Sequence, residues 1–176
     1  WLKLKSFPAG QSLLYQYVVS PFLSDGSNKE AMLRVPSVAG MLLTAWLLYK
    51  LTERIVGRGS GWLAVVPFAS AAAIIETATS ARPYALGLAV TLASFWSLRD
   101  WVHTGKRTRL ALYCVSSALV FYFHYLFGLI FLVQAVYLVA AHKGGRSFSW
   151  LRIILASFAI SLAAVPLASR MLTLTH

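Results

Sequence analysis

Residues 110–141 read LALYCVSSALVFYFHYLFGLIFLVQAVYLVAA, a run of 32 residues without a formal charge. As one helix the run would be about 48 Å long, whereas the hydrocarbon core of a bilayer is about 30 Å thick. Basic residues flank the run in 99–109 and in 142–152, and basic residues concentrate in cytoplasmic loops. An even number of crossings should therefore separate the two basic segments. The run is predicted to form two short spans with a turn between them, 110–124 and 127–141.

The apolar character extends over the whole chain. Of its 176 residues, 59% are hydrophobic and 12% are charged, whereas soluble domains average about 45–50% apolar and about 25% charged residues. The sequence therefore predicts an all-α integral membrane protein, a polytopic helical bundle of about six transmembrane helices plus an interfacial N-terminal helix. The net charge of +11 is attributed to basic loops rather than to a nucleic-acid partner, which we do not expect. The predicted spans are 36–51, 61–77, 84–98, 110–124, 127–141 and 151–167.

Residues 1–30 are predicted to form an outer-face loop that carries the interfacial helix. Apolar residues between Leu13 and Val18 follow helical spacing, but the segment is too short and too polar to cross a bilayer. A short ordered loop is the alternative interpretation. Because the chain begins at Trp1 in the middle of a pattern, we expect 1–176 to be part of a transmembrane domain, an N-terminally truncated fragment.

A short polar segment, Glu76–Tyr84, lies between two apolar runs. The positive-inside rule assigns the basic loops to the cytoplasm, and counting crossings then places this segment and the His124-Tyr125 turn outside. A charged side chain near a bilayer is costly and is by default a candidate for function. Arg82 therefore has two interpretations: it binds an anionic group, or it anchors a helix end by reaching the lipid headgroups.

Several motifs occur together in an order typical of one enzyme family. They are LRVPS at 33–37, LYKL at 48–51, GRGSG at 57–61, SARPYAL at 80–86 and YFHY at 122–125. With this order and spacing, the chain from about Leu13 onward resembles the membrane domain of bacterial GT-C glycosyltransferases. The resemblance is to family 39-like enzymes, which are relatives of protein mannosyltransferases and of the aminoarabinose transferase of lipid A.

The resemblance implies an enzyme of the bacterial inner membrane with its site facing the periplasm. Such enzymes transfer a sugar from a polyprenyl-phosphate donor to an acceptor, which the sequence does not identify. The general base is an acidic residue of the first outer loop, in some members helped by a divalent cation, and we expect that residue upstream of Trp1. The present chain alone is therefore expected to be inactive.

Residue roles follow from the same resemblance. Arg82 matches the arginine of the family's A-R-P-Y motif and is expected to bind the donor phosphate. His124 is a candidate acid–base group, although a lone histidine more often has a structural role. The residues expected to line the same cavity are Glu76, Tyr84, Tyr125 and Arg34.

The sequence also departs from the family pattern. Ser80 stands two residues before the motif arginine, where an acidic residue is common, and Gly10–Tyr15 replaces a His-Pro-Pro-like stretch. The alternative function is a non-enzymatic membrane subunit, or a transporter fragment, that binds lipid headgroups. Transporters often contain repeated halves with polar groups near the middle of the membrane. This chain shows no repeat, and its unusual polar residues are predicted to lie at one face, which favours the enzyme.

Overall fold

A computed structural model describes residues 13–22, 29–80 and 82–173, with the side chains of 13, 29, 30, 79, 125 and 167–173 outside that description. Within these ranges the chain is helical and forms no strand, which confirms the all-α class. Most of the predicted outer-face loop 1–30 lies outside the described residues. The α-helices are α1 (Leu13–Val19), α2 (Lys29–Val56), α3 (Trp62–Ser70), α4 (Ala72–Thr79), α5 (Tyr84–Thr104), α6 (Arg107–Phe123), α7 (Ile130–Lys143) and α8 (Trp150–Thr173).

The chain divides into two compact units, Trp1–Ala89 and Val90–His176, and the boundary falls within α5. In the first unit, α1, α3 and α4 pack against the long helix α2. The start of α5 also approaches α2 closely, because a Cβ atom built on Gly40 would lie 3.0 Å from the backbone carbonyl carbon of Ala85. In the second unit α6 packs against α8, and the Tyr122 hydroxyl donates a hydrogen bond to the carbonyl of Ala163 at 2.8 Å.

The interval predicted as one span, 61–77, contains two helices. The break lies at Ala71, which has an extended backbone with φ −69° and ψ 124°. In a continuous helix the Ala71 N–H would donate to the Pro67 carbonyl, which here accepts from the Ser70 hydroxyl at 3.2 Å. The Ala71 N–H instead donates to Phe68 O at 3.3 Å. Hydroxyl groups that compete for backbone acceptors in this way favour a helix end.

The basic segment expected to be a loop at 99–109 is mostly helical. Helix α5 continues to Thr104, and only Gly105 and Lys106 separate it from α6. The helix ends because Gly105 adopts φ +65°, while its N–H donates to Trp101 O at 2.7 Å. Glycine is favoured in this left-handed conformation just after a helix. The loop predicted at 99–109 is therefore reduced to Gly105 and Lys106, and the other basic residues belong to helix ends.

The helix break between α6 and α7 lies at His124, within the predicted turn. The backbone of His124 is extended, and a short 3-10 helix, Tyr125–Leu129, leads into α7. By length and composition, two helical stretches of the described residues could cross a membrane, Ala31–Val56 and Leu126–Lys143. A membrane protein is consistent with this result, whereas six transmembrane helices remain a prediction.

Apolar side chains cover the outside of the helices, whereas several polar side chains are buried. Phe158 and Leu132 are 67% and 66% exposed, while Ser94 and Gln134 are at most 1% exposed. Exposed apolar area of this extent marks a surface that contacts other apolar material. Small and polar residues between helices are typical of bundles in lipid. The surface therefore suits a hydrocarbon environment.

A buried chain of hydrogen bonds joins three helices of the second unit. The Tyr113 hydroxyl on α6 donates to Gln134 Oε1 on α7 at 3.0 Å, and Gln134 Nε2 donates to Ser94 Oγ on α5 at 2.9 Å. Ser94 in turn donates to the carbonyl of Thr91 at 2.8 Å. Both ends of the Gln134 amide are thus used, which fixes the spacing of the three helices.

We predict that Gln134→Leu lowers the free energy of unfolding by about 1 kcal/mol, because it leaves the buried hydroxyls of Tyr113 and Ser94 without their partner. Adding Tyr113→Phe should recover part of the loss, since an apolar pair does not leave a polar atom stranded. The measurement is unfolding in mixed detergent micelles, followed by tryptophan fluorescence. Ser116→Ala is the control, because the Ser116 hydroxyl bonds only carbonyls of its own helix. An equal loss in the control would contradict the role of the chain of hydrogen bonds.

Candidate functional site

The connector between α4 and α5 holds Arg82 in a tight bend. The Ser80 N–H donates to Glu76 O and closes α4, and the Arg82 N–H donates to Ser80 O, each at 2.9 Å. Pro83 follows at the start of α5, where its fixed φ and missing N–H are compatible with a helix N-terminus. The Pro83 carbonyl already accepts from Gly87 N–H at 2.9 Å. Hydrogen bonds between residues close in sequence therefore determine the backbone conformation at Ser80, Arg82 and Pro83.

A buried serine on α2 holds the same connector from the other side. The Ser37 hydroxyl, which is 0% exposed, donates to the carbonyl of Arg82 at 3.4 Å. Its oxygen is also 3.4 Å from the hydroxyl of Tyr15 on α1. Either hydroxyl can be the donor in this contact. Three separate parts of the sequence meet at the backbone of Arg82.

Burial keeps the Tyr15 hydroxyl in its protonated form. Tyr15 is 3% exposed, and burial raises the pKa of its phenol above the ordinary value, partly offset by the hydrogen bond with Ser37. A phenol with a raised pKa is neutral at physiological pH and can donate a hydrogen bond. The phenol is therefore able to take part in the hydrogen bond with Ser37 across that pH range.

Arg82 is exposed. Among the described residues no carboxylate forms an ion pair with its guanidinium; the pairs found there are Lys50–Glu53 and Arg109–Asp100. Guanidinium groups bind phosphate and carboxylate oxygens through two parallel N–H donors. An exposed arginine on a hydrogen-bonded connector can therefore offer both donors to an anionic group.

The other residues expected in the first unit lie around the same segment. Glu76 is exposed on α4, and Tyr84 is half-buried at the start of α5. Arg34 is exposed on α2; it precedes Ser37 by three residues and so shares its helix face. The sequence placed these residues near Arg82 by motif, and the structure places all of them in the unit Trp1–Ala89.

His124 and Tyr125 belong to the second unit, so a cavity shared with Arg82 remains a prediction. The Nδ1 atom of His124 accepts a hydrogen bond from the Leu126 N–H at 3.3 Å, which caps the 3-10 helix. Its ring also packs edge-on against Phe127, with centroids 6.0 Å apart. In the neutral ring the proton is then on Nε2. The side chain of Tyr125 lies outside the described residues.

The described residues do not fit a divalent-metal site. No group of three or more His, Cys, Asp or Glu side chains is close enough within them to hold an ion. We therefore assign no metal ligand among them.

A comparison with protein-family models identifies the group to which this sequence belongs. Residues 11–169 match the family described as dolichyl-phosphate-mannose-protein mannosyltransferase. The chain belongs to this family. The mannosyltransferase family consists of membrane glycosyltransferases of the GT-C type, which confirms the resemblance seen in the sequence motifs. Neither the curated proteins nor the solved structures compared with the chain gave a match.

The sequence motifs of the mannosyltransferase family did not reveal the supports of Arg82. Ser37 ends the LRVPS motif, and Tyr15 lies in the stretch that departs from the family pattern, but neither was assigned a role. Gly40 was also missed, although it permits the close approach of α2 to the start of α5. The available signal was a small or hydroxyl residue on one face of an apolar helix, which favours helix contacts in lipid.

We predict that His124 acts as the cap of the 3-10 helix and not as an acid–base group. His124→Asn supplies an oxygen near the position of Nδ1, so the full-length enzyme should keep its specific activity within several-fold. His124→Ala removes the acceptor, so it should lower the melting temperature more than the specific activity. Activity and melting temperature of both variants are measured in detergent. A loss of about 10²-fold or more in His124→Asn with unchanged stability would instead indicate a general acid–base role.

Proposed function

We propose that this chain is part of an enzyme that transfers a sugar from a polyprenyl-phosphate donor to an acceptor at the outer face of the membrane. Membership of the mannosyltransferase family supports glycosyl transfer and a lipid-linked donor. The observation that carries the proposal is the exposed guanidinium of Arg82 on a connector held by Ser37. In this assignment Arg82 binds the donor phosphate.

Glycosyl transfer requires positive charge near the lipid phosphate, because this leaving group gains negative charge during the reaction. The acceptor hydroxyl attacks the anomeric carbon, the bond from that carbon to the phosphate oxygen breaks, and the lipid phosphate leaves with the bonding electrons. A fixed guanidinium stabilises the phosphate without reorganising during the reaction. The hydrogen bonds of the Arg82 backbone set where its side chain starts, and bound phosphate would order the guanidinium itself. The base that accepts the acceptor's proton is not assigned to a described residue.

We predict that Arg82→Lys reduces turnover or donor affinity about 10- to 150-fold, because lysine keeps the charge but loses the paired donors. Arg82→Ala should reduce it further. Transfer from a polyprenyl-phosphate sugar is measured with full-length protein and normalised to folded protein. Arg58→Lys, at an exposed arginine in the turn after α2, is the matched control.

A different pattern would favour the anchor interpretation of Arg82. In that case Arg82→Lys keeps nearly full specific activity, and Arg82→Ala lowers expression or stability rather than catalysis. If the full-length wild-type protein binds the donor but transfers no sugar to any acceptor class, the non-enzymatic headgroup-binding subunit is the better description.

The outer location of the connector has its own test. Cys114 is the only cysteine, so Cys114→Ser provides a background for single cysteines at Thr79, the last residue of α4, and at Lys106, in the linker before α6. An impermeant thiol reagent added to intact cells should label the cysteine at position 79 and not the one at 106. Equal labelling at both positions would contradict the predicted topology.

A further inference from the structure

The second unit contains a cavity that the proposed transfer reaction does not use. The cavity is about 530 Å³ and lies between the C-terminal end of α5 and the segment that leads from α7 into α8. Pockets of about 300–1,000 Å³ accommodate small ligands. Its lining residues are Trp101, Val102, His103, Thr104, Gly105, Ser147, Phe148, Ser149 and Arg152.

The surroundings of the cavity carry positive charge. Arg152 and His103 are on its wall and no carboxylate is. The only acidic residue between Val90 and His176 is Asp100, which forms an ion pair with Arg109 at 3.7 Å. The pKa of His103 is lowered, first by burial and then by the charges of Arg99 and Arg146. The positive charge around the cavity therefore favours an anionic ligand.

The N-terminus of α8 adds polar side chains to the same wall. Ser149 precedes the helix, and its carbonyl accepts from the N–H groups of Arg152 and Ile153 at 3.1 and 3.3 Å. The N–H of Arg152, the residue of this first turn that lines the cavity, is therefore already paired, and it is the dipole of the helix that favours an anion at this end. The hydroxyls of Ser147 and Ser149 and the guanidinium of Arg152 lie on the residues that line this end of the cavity.

An independent observation also points to a ligand at this wall. Trp101 is 2% exposed, and its indole N–H has no hydrogen-bond acceptor in the part of the chain that the structure describes. Buried donors in native proteins almost always have an acceptor, and Trp101 lines the cavity. An oxygen atom of a bound ligand would supply the acceptor.

Aromatic packing holds the wall in place. The ring of Phe148 lies 5.9 Å from that of Trp101 and 5.1 Å from that of Trp150, measured between centroids. His142 packs edge-on against Phe148 and Trp150 at 5.9 and 5.6 Å. The segment that carries the two serines is thus fixed against α5 and α7, so the donors are positioned before a ligand binds.

We propose that this cavity binds a phosphate ester, with the guanidinium of Arg152, the hydroxyls of Ser147 and Ser149 and the indole N–H of Trp101 as donors to its oxygens. The same chemistry is present in a soluble phosphate ester and in the headgroup of an anionic phospholipid. Sequence topology predicts that the cavity faces the cytoplasm, where both are available.

The test is equilibrium binding to the purified full-length protein in detergent. The probes are glycerol 3-phosphate, short-chain phosphatidic acid and, as the neutral control, sorbitol. We expect saturable binding of at least one phosphate probe and none of sorbitol. Binding of glycerol 3-phosphate as tight as that of phosphatidic acid identifies a soluble ligand, whereas binding of phosphatidic acid alone identifies a lipid headgroup.

Variants separate this site from general attraction to a basic surface. Arg152→Gln should weaken binding of the phosphate probe about tenfold or more, and Trp101→Phe should weaken it severalfold. Ser149→Asp keeps a residue suited to capping α8 but puts a negative charge at the site, so it should abolish binding without loss of thermal stability. Lys143→Gln, at an exposed lysine outside the cavity, should leave binding unchanged. The proposal is overturned if neither phosphate probe binds saturably, or if Lys143→Gln weakens binding as much as Arg152→Gln.

Discussion

An apolar surrounding gives apolar helices no reason to prefer one another over lipid. Cohesion therefore depends on close packing, as in the buried cluster of Leu98, Trp101 and Tyr113, and on the polar atoms between the helices. In the second unit Gln134 is the central example, because one amide links hydroxyls on two other helices. Each such link is modest in energy, but it also fixes a spacing, since an unpaired amide in this setting is costly. The apolar outside and the hydrogen-bonded inside are two results of one constraint.

The same constraint shapes the connector that carries Arg82. The Arg82 N–H donates to Ser80 O and the Arg82 carbonyl accepts from Ser37, so neither of these groups needs water as a partner. The Arg82 guanidinium is exposed, and no carboxylate of the described residues pairs with it. A rigid backbone with an exposed charged group is the arrangement expected of a group that binds a charged substrate. The two parts of Arg82 therefore have separate roles. Its backbone is bonded within the protein, and its guanidinium is proposed to bind the anionic substrate.

The sequence was most informative where length and charge alone impose a limit. A run of 32 uncharged residues is too long for one crossing, and the chain breaks at His124 as that limit predicts. The break at Ala71 was not predicted, because no charge and no excess of length marks the apolar interval in which it lies. Ser37 and Tyr15 were missed for a related reason. Their roles arise from packing between distant segments, which a periodic pattern within one helix does not encode.

Gly40 has a consequence for how this sequence can diverge. Any other side chain there would press on the backbone of Ala85 and Leu86, which cannot rotate away as a flexible side chain can. Displacement of the first turn of α5 would move the adjoining connector with it. By contrast, a Cβ atom at Gly57 or Gly105 would meet no atom within 4 Å, and only its φ angle limits substitution. A substitution at position 40 therefore requires that neighbouring backbone to shift by a few tenths of an ångström, so we expect this helix position beside the Arg82 connector to tolerate little change.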